Sequence, residues 1–372
     1  LNALTSSDKT LYPAASLVKA DYYNLMDVYS DAVFFPKLTR QTFMQEGWRI
    51  EFDENDKPSI QGVVYNEMKA NYTTFNQIAI KEFFSAIYPD SYMDYDSGGN
   101  PLEIPELTYE EFLDFHKKFY IPSNCLLILY GNIPTKEQID FIDEKLINRL
   151  IDKFGVNEPV DLLSETPILT DEIKTLTKIN RIENSKEVTV YAPDNGTTGN
   201  ITGLCWYCGK TNIEQIFLNE LLAGIDSSPL SKILQESKLG DDEAPISGPF
   251  SYVLDEGIIS YGLSGVKTQN KDKVYKLIFD SLNEIYKKGF NQNDIDAAIM
   301  GIDFNLREEK RFWDPRSINI SSKITTAWCI GRKPSDMLWP ITSFEKVKQQ
   351  IKENPDYIPS LMRKYFLDNK LC

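Results

Sequence analysis

The chain contains the same order of secondary-structure signals twice. Residues 21–43 ("DYYNLMDVYSDAVFFPKLTRQTF") and 272–295 ("DKVYKLIFDSLNEIYKKGFNQNDI") each predict a long amphipathic helix, a short turn and a second helix opened by a polar residue. This matched order indicates duplication of one α+β unit. A chain of 372 residues also exceeds the usual size of one hydrophobic core. We therefore predict an α+β fold of two related units, each a mostly antiparallel sheet covered by helices.

The segment between residues 156 and 185 separates the two predicted units. It contains Pro159, Pro167 and many polar residues, and its hydrophobic pattern is weak, which is typical of a connection. We therefore predict a first unit over residues 1–155 and a second over residues 186–372.

Hydrophobic periodicity and capping residues predict the elements of each unit. For the first unit they predict one strand and four helices: a strand over residues 125–131 and helices over 21–35, 62–87, 108–119 and 135–150. For the second unit they predict strands and helices in alternation: strands over 186–193, 203–209 and 257–266, and helices over 212–223, 271–288 and 291–310. A further helix has Ser228 and Pro229 at its first positions and Gly240 at its predicted end.

Composition excludes several classes of partner. The chain has 55 acidic and 40 basic residues and a net charge of −15, whereas nucleic-acid binding favours a basic surface. No uncharged apolar run reaches the roughly 18 residues of a membrane span, so we expect neither a nucleic-acid nor a membrane partner.

The five cysteines indicate a reducing compartment. Their number is odd and they are scattered along the chain, unlike a disulfide framework. We therefore expect a cytoplasmic or organelle-matrix location and no secretion. Cys205 and Cys208 have the spacing of a redox motif, but they lie in an apolar run that predicts a strand with no helix start after it. A redox role is the weaker interpretation of this pair.

One histidine, His116, occurs in the whole chain. It follows a predicted capping box of Thr108 and Glu111, beside a helical stripe of phenylalanines and before two lysines. This pattern predicts a helix-surface residue. A single histidine also excludes, for this chain alone, any site that needs two imidazoles.

The stretch "GVVYNEMK" at residues 62–69 contains an unusual carboxylate, Glu67. Helical spacing places it on the same side as Val63 and Val64. Burying a carboxylate without compensation costs several kcal/mol, so we expect a hydrogen-bonding partner, a cation or a metal. The residues alone leave three alternatives open: a salt bridge, for instance to Arg49 or Lys69, a tilt towards solvent, or a metal ligand.

A series of motifs in chain order resembles the pitrilysin/insulinase family of zinc peptidases, and most closely its presequence protease and falcilysin branch. The matching segments cover nearly the whole chain: "LNALTSSDKTLYPAAS", "DYYNLMDVYSDAVFFP", "FMQEGWRIEF", "GVVYNEMK", "DSGGNP", "LTYEEFLDFHKKFYIPSN", "SPLSKILQESKLG" and "YGLSGVK".

The resemblance implies a zinc site to which this chain supplies one ligand. Family members carry an H-x-x-E-H motif, with two zinc-binding histidines and a glutamate as general base. A glutamate from a second helix is the third ligand, and Glu67 stands at that position. No H-x-x-E-H occurs in this chain, so the resemblance places the motif and its general base upstream of Leu1.

The resemblance also implies a site for substrate. "LNALT" is similar to the family's active-site edge strand, where an extended peptide pairs with backbone groups, so Asn2, Ala3 and Leu4 are the expected substrate-binding residues. The alternative is the start of an ordinary core strand. "DSGGNP" (residues 96–101) is either a loop facing the substrate chamber or a turn that needs glycine.

The resemblance implies that this chain is a piece of a zinc metalloendopeptidase, which degrades short unfolded peptides in an enclosed chamber. We expect the chain to form half of the clamshell that encloses this chamber. Its expected partners are the peptide substrate and the remainder of the same polypeptide, and its expected cofactor is zinc at an incomplete site. We expect the chain alone to be inactive. The alternative is a non-catalytic family member that binds peptides or serves as a partner subunit.

Overall fold

The computed structural model describes residues 2–73, 75–155, 179–180, 182–191, 200–241, 246–249, 256–308, 316–338 and 340–372. The chain forms two compact units, Leu1–Arg181 and Ile182–Cys372. Most of the connecting segment predicted over residues 156–185 lies outside the described residues.

The first unit combines two small hairpins with helices. Its strands are β1 (Leu4–Thr5), β2 (Thr10–Leu11), β3 (Arg49–Phe52) and β4 (Pro58–Gln61). Its α-helices are α1 (Lys19–Phe34), α2 (Arg40–Glu46), α3 (Val63–Asn71), α4 (Phe75–Ile87), α5 (Tyr109–Phe119), α6 (Thr135–Ile142) and α7 (Asn148–Phe154). A π-helical turn at Asp143–Ile147 joins α6 to α7, and short 3₁₀ turns lie at Tyr92–Asp94, Ile104–Glu106 and Pro122–Asn124.

The second unit has a three-stranded sheet and more helices. Its strands are β5 (Thr202–Tyr207), β6 (Ile246–Pro249) and β7 (Ile258–Leu263). Its α-helices are α8 (Ile213–Ala223), α9 (Pro229–Glu236), α10 (Lys271–Lys288), α11 (Gln292–Arg307), α12 (Arg316–Cys329), α13 (Pro340–Glu353) and α14 (Tyr357–Met362). Shorter helical turns follow at Thr268–Asn270, Pro334–Met337 and Arg363–Leu367.

All strand pairs of the described chain are antiparallel. β1 pairs with β2, β3 with β4, and β7 lies between β5 and β6. Every residue of β7 is buried, and Trp206 of β5 packs against Tyr261 and Phe366 in the large hydrophobic core of the second unit. The fold is therefore helix-rich with small antiparallel sheets, which confirms the predicted α+β class.

The repeated helix pairs are present in both units. Thr39 caps α2 by accepting a hydrogen bond from the Thr42 amide, and Asn291 caps α11 by accepting one from the Asp294 amide. Both caps follow a long helix, α1 and α10, as the sequence predicts.

The single helix predicted over residues 62–87 is wrong. The structure has two helices, α3 and α4, with a break after Asn71. Both the amide and the hydroxyl of Thr73 donate to the Ala70 carbonyl, at 3.2 and 2.7 Å. A threonine hydroxyl that bonds locally competes with the helical pattern and ends it here.

Two predicted strands are not paired in the described chain. Residues 125–131 contain no strand, although Cys125 has extended backbone angles, and residues 186–191 contain none either. Residues 192 and 193 lie outside the described residues. An apolar pattern supplies no partner by itself, and a strand exists only where another strand lies beside it.

The predicted end of α9 at Gly240 is also wrong. The helix ends at Glu236, where the Ser237 hydroxyl donates to the Leu234 carbonyl at 2.7 Å and Lys238 takes a left-handed conformation with φ of 53°. No helix in the described part of the chain is both long enough and apolar enough to cross a bilayer.

Candidate functional site

Glu67 lies on α3, a short helix held in place by its opposite face. Tyr65 and Met68 are buried there and form a small core cluster with Ile104. Trp48 and Ile60, from the hairpin before α3, pack against that cluster. The position of the Glu67 backbone is therefore set by this packing.

Two glycines, Gly62 and Gly98, lie where a side chain would collide with the neighbours of α3 or with α3 itself. A Cβ on Gly62, the residue that precedes α3, would lie 2.0 Å from the Gly47 carbonyl oxygen. A Cβ on Gly98 would lie 2.2 Å from the Met68 sulfur. Gly98 belongs to the "DSGGNP" segment, where Gly99 has φ of 90°. The segment therefore fits the second of the two alternatives, a turn that needs glycine. Its Gly98 packs against Met68 of α3.

The Glu67 side chain lies on the exposed face of α3. Val63 and Val64, which share this face, are 53% and 37% exposed. A packed face for these three residues is therefore wrong within the described chain, and of the alternatives left open by the sequence Glu67 shows the tilt towards solvent. The buried residues of α3 are Tyr65 and Met68. They directly follow Val64 and Glu67 in the chain and therefore lie on another face of the helix.

Glu67 also lacks the salt bridge that the sequence left open. Arg49 pairs with Glu51 at 2.5 Å, and the Lys69 ammonium lies 5.8 Å from the centre of the Tyr65 ring. No hydrogen bond or ion pair of Glu67 to another described residue exists. Its carboxylate is thus free to accept a partner that is not part of the described chain.

The described residues do not form a metal site by themselves. Among them, no three His, Cys, Asp or Glu side chains are grouped so that they could hold a metal ion. Zinc in proteins takes three or four protein ligands. Glu67 fits the role of one oxygen ligand, and the described chain offers it no companion.

The β1–β2 hairpin carries the three predicted substrate-binding residues. Leu4 pairs with Leu11 and Thr5 with Thr10, and beyond the ladder the Ser6 amide donates to the Lys9 carbonyl at 2.9 Å. Antiparallel pairs alternate between hydrogen-bonded and non-bonded.

From this register, Leu4–Leu11 is a hydrogen-bonded pair and Thr5–Thr10 is not. The backbone N–H and C=O groups of Ala3 and Thr5 therefore point away from β2, towards the open edge of the hairpin. Residues 2–5 are all exposed.

The backbone of Asn2 is held by α1. Its amide donates to the Tyr29 hydroxyl at 2.5 Å, and that hydroxyl donates to the Asn2 carbonyl at 3.4 Å. The Ala3 amide donates to the Asn2 side-chain oxygen at 3.0 Å. Asn2 and Ala3 thus lie directly before Leu4, the first residue of β1, and no hydrogen bond or ion pair among the described residues joins any of the three to Glu67 on α3.

The sequence predicts the helix over residues 21–35, which contains Tyr29, but not the contact of Tyr29 with Asn2. A half-buried tyrosine on an apolar face has a hydroxyl that needs a partner, and this was the available signal. The partner itself lies 27 residues away, so the sequence does not identify it.

The prediction of His116 as a helix-surface residue is wrong. The imidazole Nε2 lies 2.8 Å from the Val33 carbonyl at the end of α1, and the ring stacks on Tyr120 with centroids 4.4 Å apart. Tyr120 in turn hydrogen bonds to Tyr12 just after β2, with 2.6 Å between the two hydroxyls. His116 therefore joins α5 to α1, while Phe115 of the predicted stripe is 59% exposed.

The cysteine pair has the properties of buried thiols. Burial raises the pKa of Cys205 far above its ordinary value and that of Cys208 to about 12. All five cysteines are free thiols. Because the thiolate is the reactive form, this environment opposes redox chemistry at neutral pH.

Comparisons with known proteins agree with this architecture. The family described as "Peptidase M16 inactive domain" matches residues 106–302. The mitochondrial presequence protease of Schizosaccharomyces pombe is 33% identical over 100% of this chain and 36% of its own length. Presequence protease 1 (chloroplastic/mitochondrial) of Arabidopsis thaliana is 33% identical over 99% of this chain and 34% of its own length.

The chain therefore spans about a third of the length of these curated relatives. Among solved structures, a protease from Helicobacter pylori superimposes with a TM-score of 0.63 and 14% identity, over 95% of this chain and 75% of that one. At this low identity the structural likeness supports the fold alone.

Proposed function

We propose a function from one premise: this chain belongs to the M16 peptidase family, the pitrilysin/insulinase family. We infer that it is part of a zinc metalloendopeptidase that degrades short unfolded peptides in an enclosed chamber. In this proposal the chain supplies the third zinc ligand and the strand to which substrate binds. The other zinc ligands and the general base come from the remainder of the polypeptide.

The observation that carries the proposal is the state of Glu67. Its carboxylate is exposed on a helix whose other face is packed, and no described residue pairs with it. A carboxylate placed in this way can bind a cation without first breaking an ion pair. When bound, zinc supplies Lewis-acid polarisation of the scissile carbonyl.

The open edge of β1 supports the substrate part of the proposal. Thr5 presents its backbone donor and acceptor, and Ala3 its carbonyl, in a direction in which no described strand lies, whereas the Ala3 amide donates to the Asn2 side-chain oxygen. An extended peptide adds to such an edge through main-chain hydrogen bonds, which are independent of its sequence. This fits a peptidase that accepts many unfolded peptides.

The part of the chain that matches an inactive domain does not include these residues. That match begins at residue 106, after Glu67 and after β1. The description "inactive" therefore does not argue against a ligand role for Glu67.

The proposed location is the cytoplasm of a bacterium or the matrix of an organelle. The two presequence proteases compared above are named as mitochondrial or as chloroplastic and mitochondrial. The five free cysteines of this chain fit a reducing compartment of either kind.

The test is peptide cleavage by the full-length protein that carries this chain, with and without a metal chelator. Cleavage of unfolded peptides of mixed sequence that stops with chelator and returns with zinc supports the proposal. Peptide binding without any cleavage, in a protein that holds no zinc, would replace it with the non-catalytic alternative of a peptide-binding or partner subunit.

A further inference from the structure

We propose that Tyr29 is the positioning residue for the substrate-binding strand. This inference rests on the proposed function, and it adds a residue of α1 that no hydrogen bond among the described residues joins to Glu67. Tyr29 holds Asn2 by two hydrogen bonds through one hydroxyl group, at 2.5 Å from the Asn2 amide and 3.4 Å to the Asn2 carbonyl. A tyrosine hydroxyl can serve as donor and acceptor at once.

The register of the hairpin explains why a side chain is needed at this point. Leu4 pairs with Leu11 and Thr5 with Thr10, so continuing the register brings Pro13 opposite Asn2. This would be the next hydrogen-bonded pair, because such pairs alternate along an antiparallel ladder. Proline has no N–H and cannot donate to the Asn2 carbonyl. The Tyr29 hydroxyl makes the two bonds that a β2 residue would otherwise make.

Ala3 lies between two residues whose backbones are held by hydrogen bonds, Asn2 and Leu4. The ladder holds Leu4 on one side of it and Tyr29 holds Asn2 on the other. With both neighbours fixed, the Ala3 carbonyl stays directed to the open edge, while the Ala3 amide donates to the Asn2 side-chain oxygen at 3.0 Å. Without Tyr29, the strand would be anchored only from Leu4 onward, and residues 2 and 3 would lose their fixed direction.

Tyr29 is well suited to this role because its own helix is anchored elsewhere. α1 ends in a cluster in which Phe34 packs against Leu146 and Leu150. The Val33 carbonyl of α1 also lies 2.8 Å from the imidazole Nε2 of His116 on α5. The strand is thus attached to a helix that does not depend on it.

The experiment compares Tyr29→Phe with Tyr22→Phe in the full-length protein. Both substitutions remove one hydroxyl from the same helix, but only the first removes a contact to the strand. The measurements are KM and kcat for an unfolded peptide, and amide hydrogen exchange of the segment that contains residues 2–5.

For Tyr29→Phe we expect KM to rise roughly 2- to 10-fold, as for the loss of one main-chain hydrogen bond, with kcat nearly unchanged. Exchange of the residue 2–5 segment should become faster. Tyr22→Phe should change neither. An unchanged KM and unchanged exchange in Tyr29→Phe, or an equal rise of KM in Tyr22→Phe, would overturn the assignment. If the wild-type protein cleaves no peptide, the proposed function fails instead, and faster exchange in Tyr29→Phe alone would still show that Tyr29 holds the strand.

Discussion

Gly62 and Gly47 lie so close together that a Cβ on residue 62 would come within 2.0 Å of the Gly47 carbonyl oxygen. The same Cβ would also come within 2.9 Å of the Trp48 Cα. Both are backbone atoms, which cannot turn aside as a flexible side chain can. The start of α3, and with it the position of Glu67, depends on this contact.

Substituting Gly62 by alanine should therefore displace α3 from the β3–β4 hairpin. Overpacking against backbone costs about 1–3 kcal/mol or more. We expect faster amide exchange over Val63–Asn71 and a lower denaturation midpoint. Val63→Ala, a substitution of an exposed side chain on the same helix, is the matched control and should change neither. Equal exchange in the two variants would show that α3 is held by other contacts.

Proline at residue 5 should weaken peptide binding without breaking the hairpin. Thr5 is in a non-hydrogen-bonded pair, so its N–H points to the open edge and proline is tolerated within the hairpin itself. We expect KM for an unfolded peptide to rise about 2- to 10-fold in the full-length protein, because one main-chain hydrogen bond is lost. Thr10→Pro is the control, since its N–H points away from β1. A similar rise of KM in both variants would mean that the hairpin, and not its edge, had been damaged.

Glu214 should stabilise the second unit in a pH-dependent manner. Burial raises its pKa, but hydrogen bonds from Tyr357, Lys364 and Tyr365 outweigh this effect and lower the pKa below the ordinary 4.5. The two hydroxyls lie 2.9 Å and the ammonium 3.1 Å from its oxygens. A depressed folded-state pKa contributes stability above the unfolded value and loses it as the pH falls through the folded value.

We therefore expect Glu214→Gln to lower the free energy of unfolding by roughly 1–3 kcal/mol at neutral pH and by much less in acid. Denaturation in urea at neutral pH and below the pKa of Glu214 measures this difference. Glu353→Gln, at an exposed position on α13, should be neutral at both. A destabilisation by Glu214→Gln that did not shrink in acid would contradict the carboxylate's role.

The thiols of Cys205 and Cys208 should react slowly in the native protein. With the pKa of Cys208 raised from 9.0 to about 12, its thiolate fraction at neutral pH falls by roughly a thousandfold. We expect iodoacetamide to label both residues only after denaturation, as read by mass spectrometry. Rapid labelling of the native protein at neutral pH would restore the redox interpretation.

Local chemistry made much of the fold predictable. The capping box of Thr108 and Glu111 at α5, and proline at the first position of α9 after Ser228, are both present in the structure. These signals act within one helical turn, so the sequence contains the whole interaction. The buried strand β7 was equally readable from its apolar pattern.

The features that the sequence did not predict are long-range. Whether residues 125–131 form a paired strand depends on a neighbour that the pattern does not specify. The contact of His116 with Val33 spans 83 residues, and that of Tyr29 with Asn2 spans 27. For Glu67, helical spacing gave its correct neighbours, Val63 and Val64, but could not show which side of α3 is packed. The side became known only from the burial of Tyr65 and Met68.

The most direct test of the account is the zinc content of the full-length protein and of its Glu67→Gln variant, measured by metal analysis after dialysis. Glu54→Gln, an exposed carboxylate in the β3–β4 turn, is the control. We expect about one zinc ion per polypeptide in the wild type and in the control, as for a single catalytic site, and a large loss in Glu67→Gln. Zinc content that is the same in Glu67→Gln as in the wild type would contradict the ligand role of Glu67.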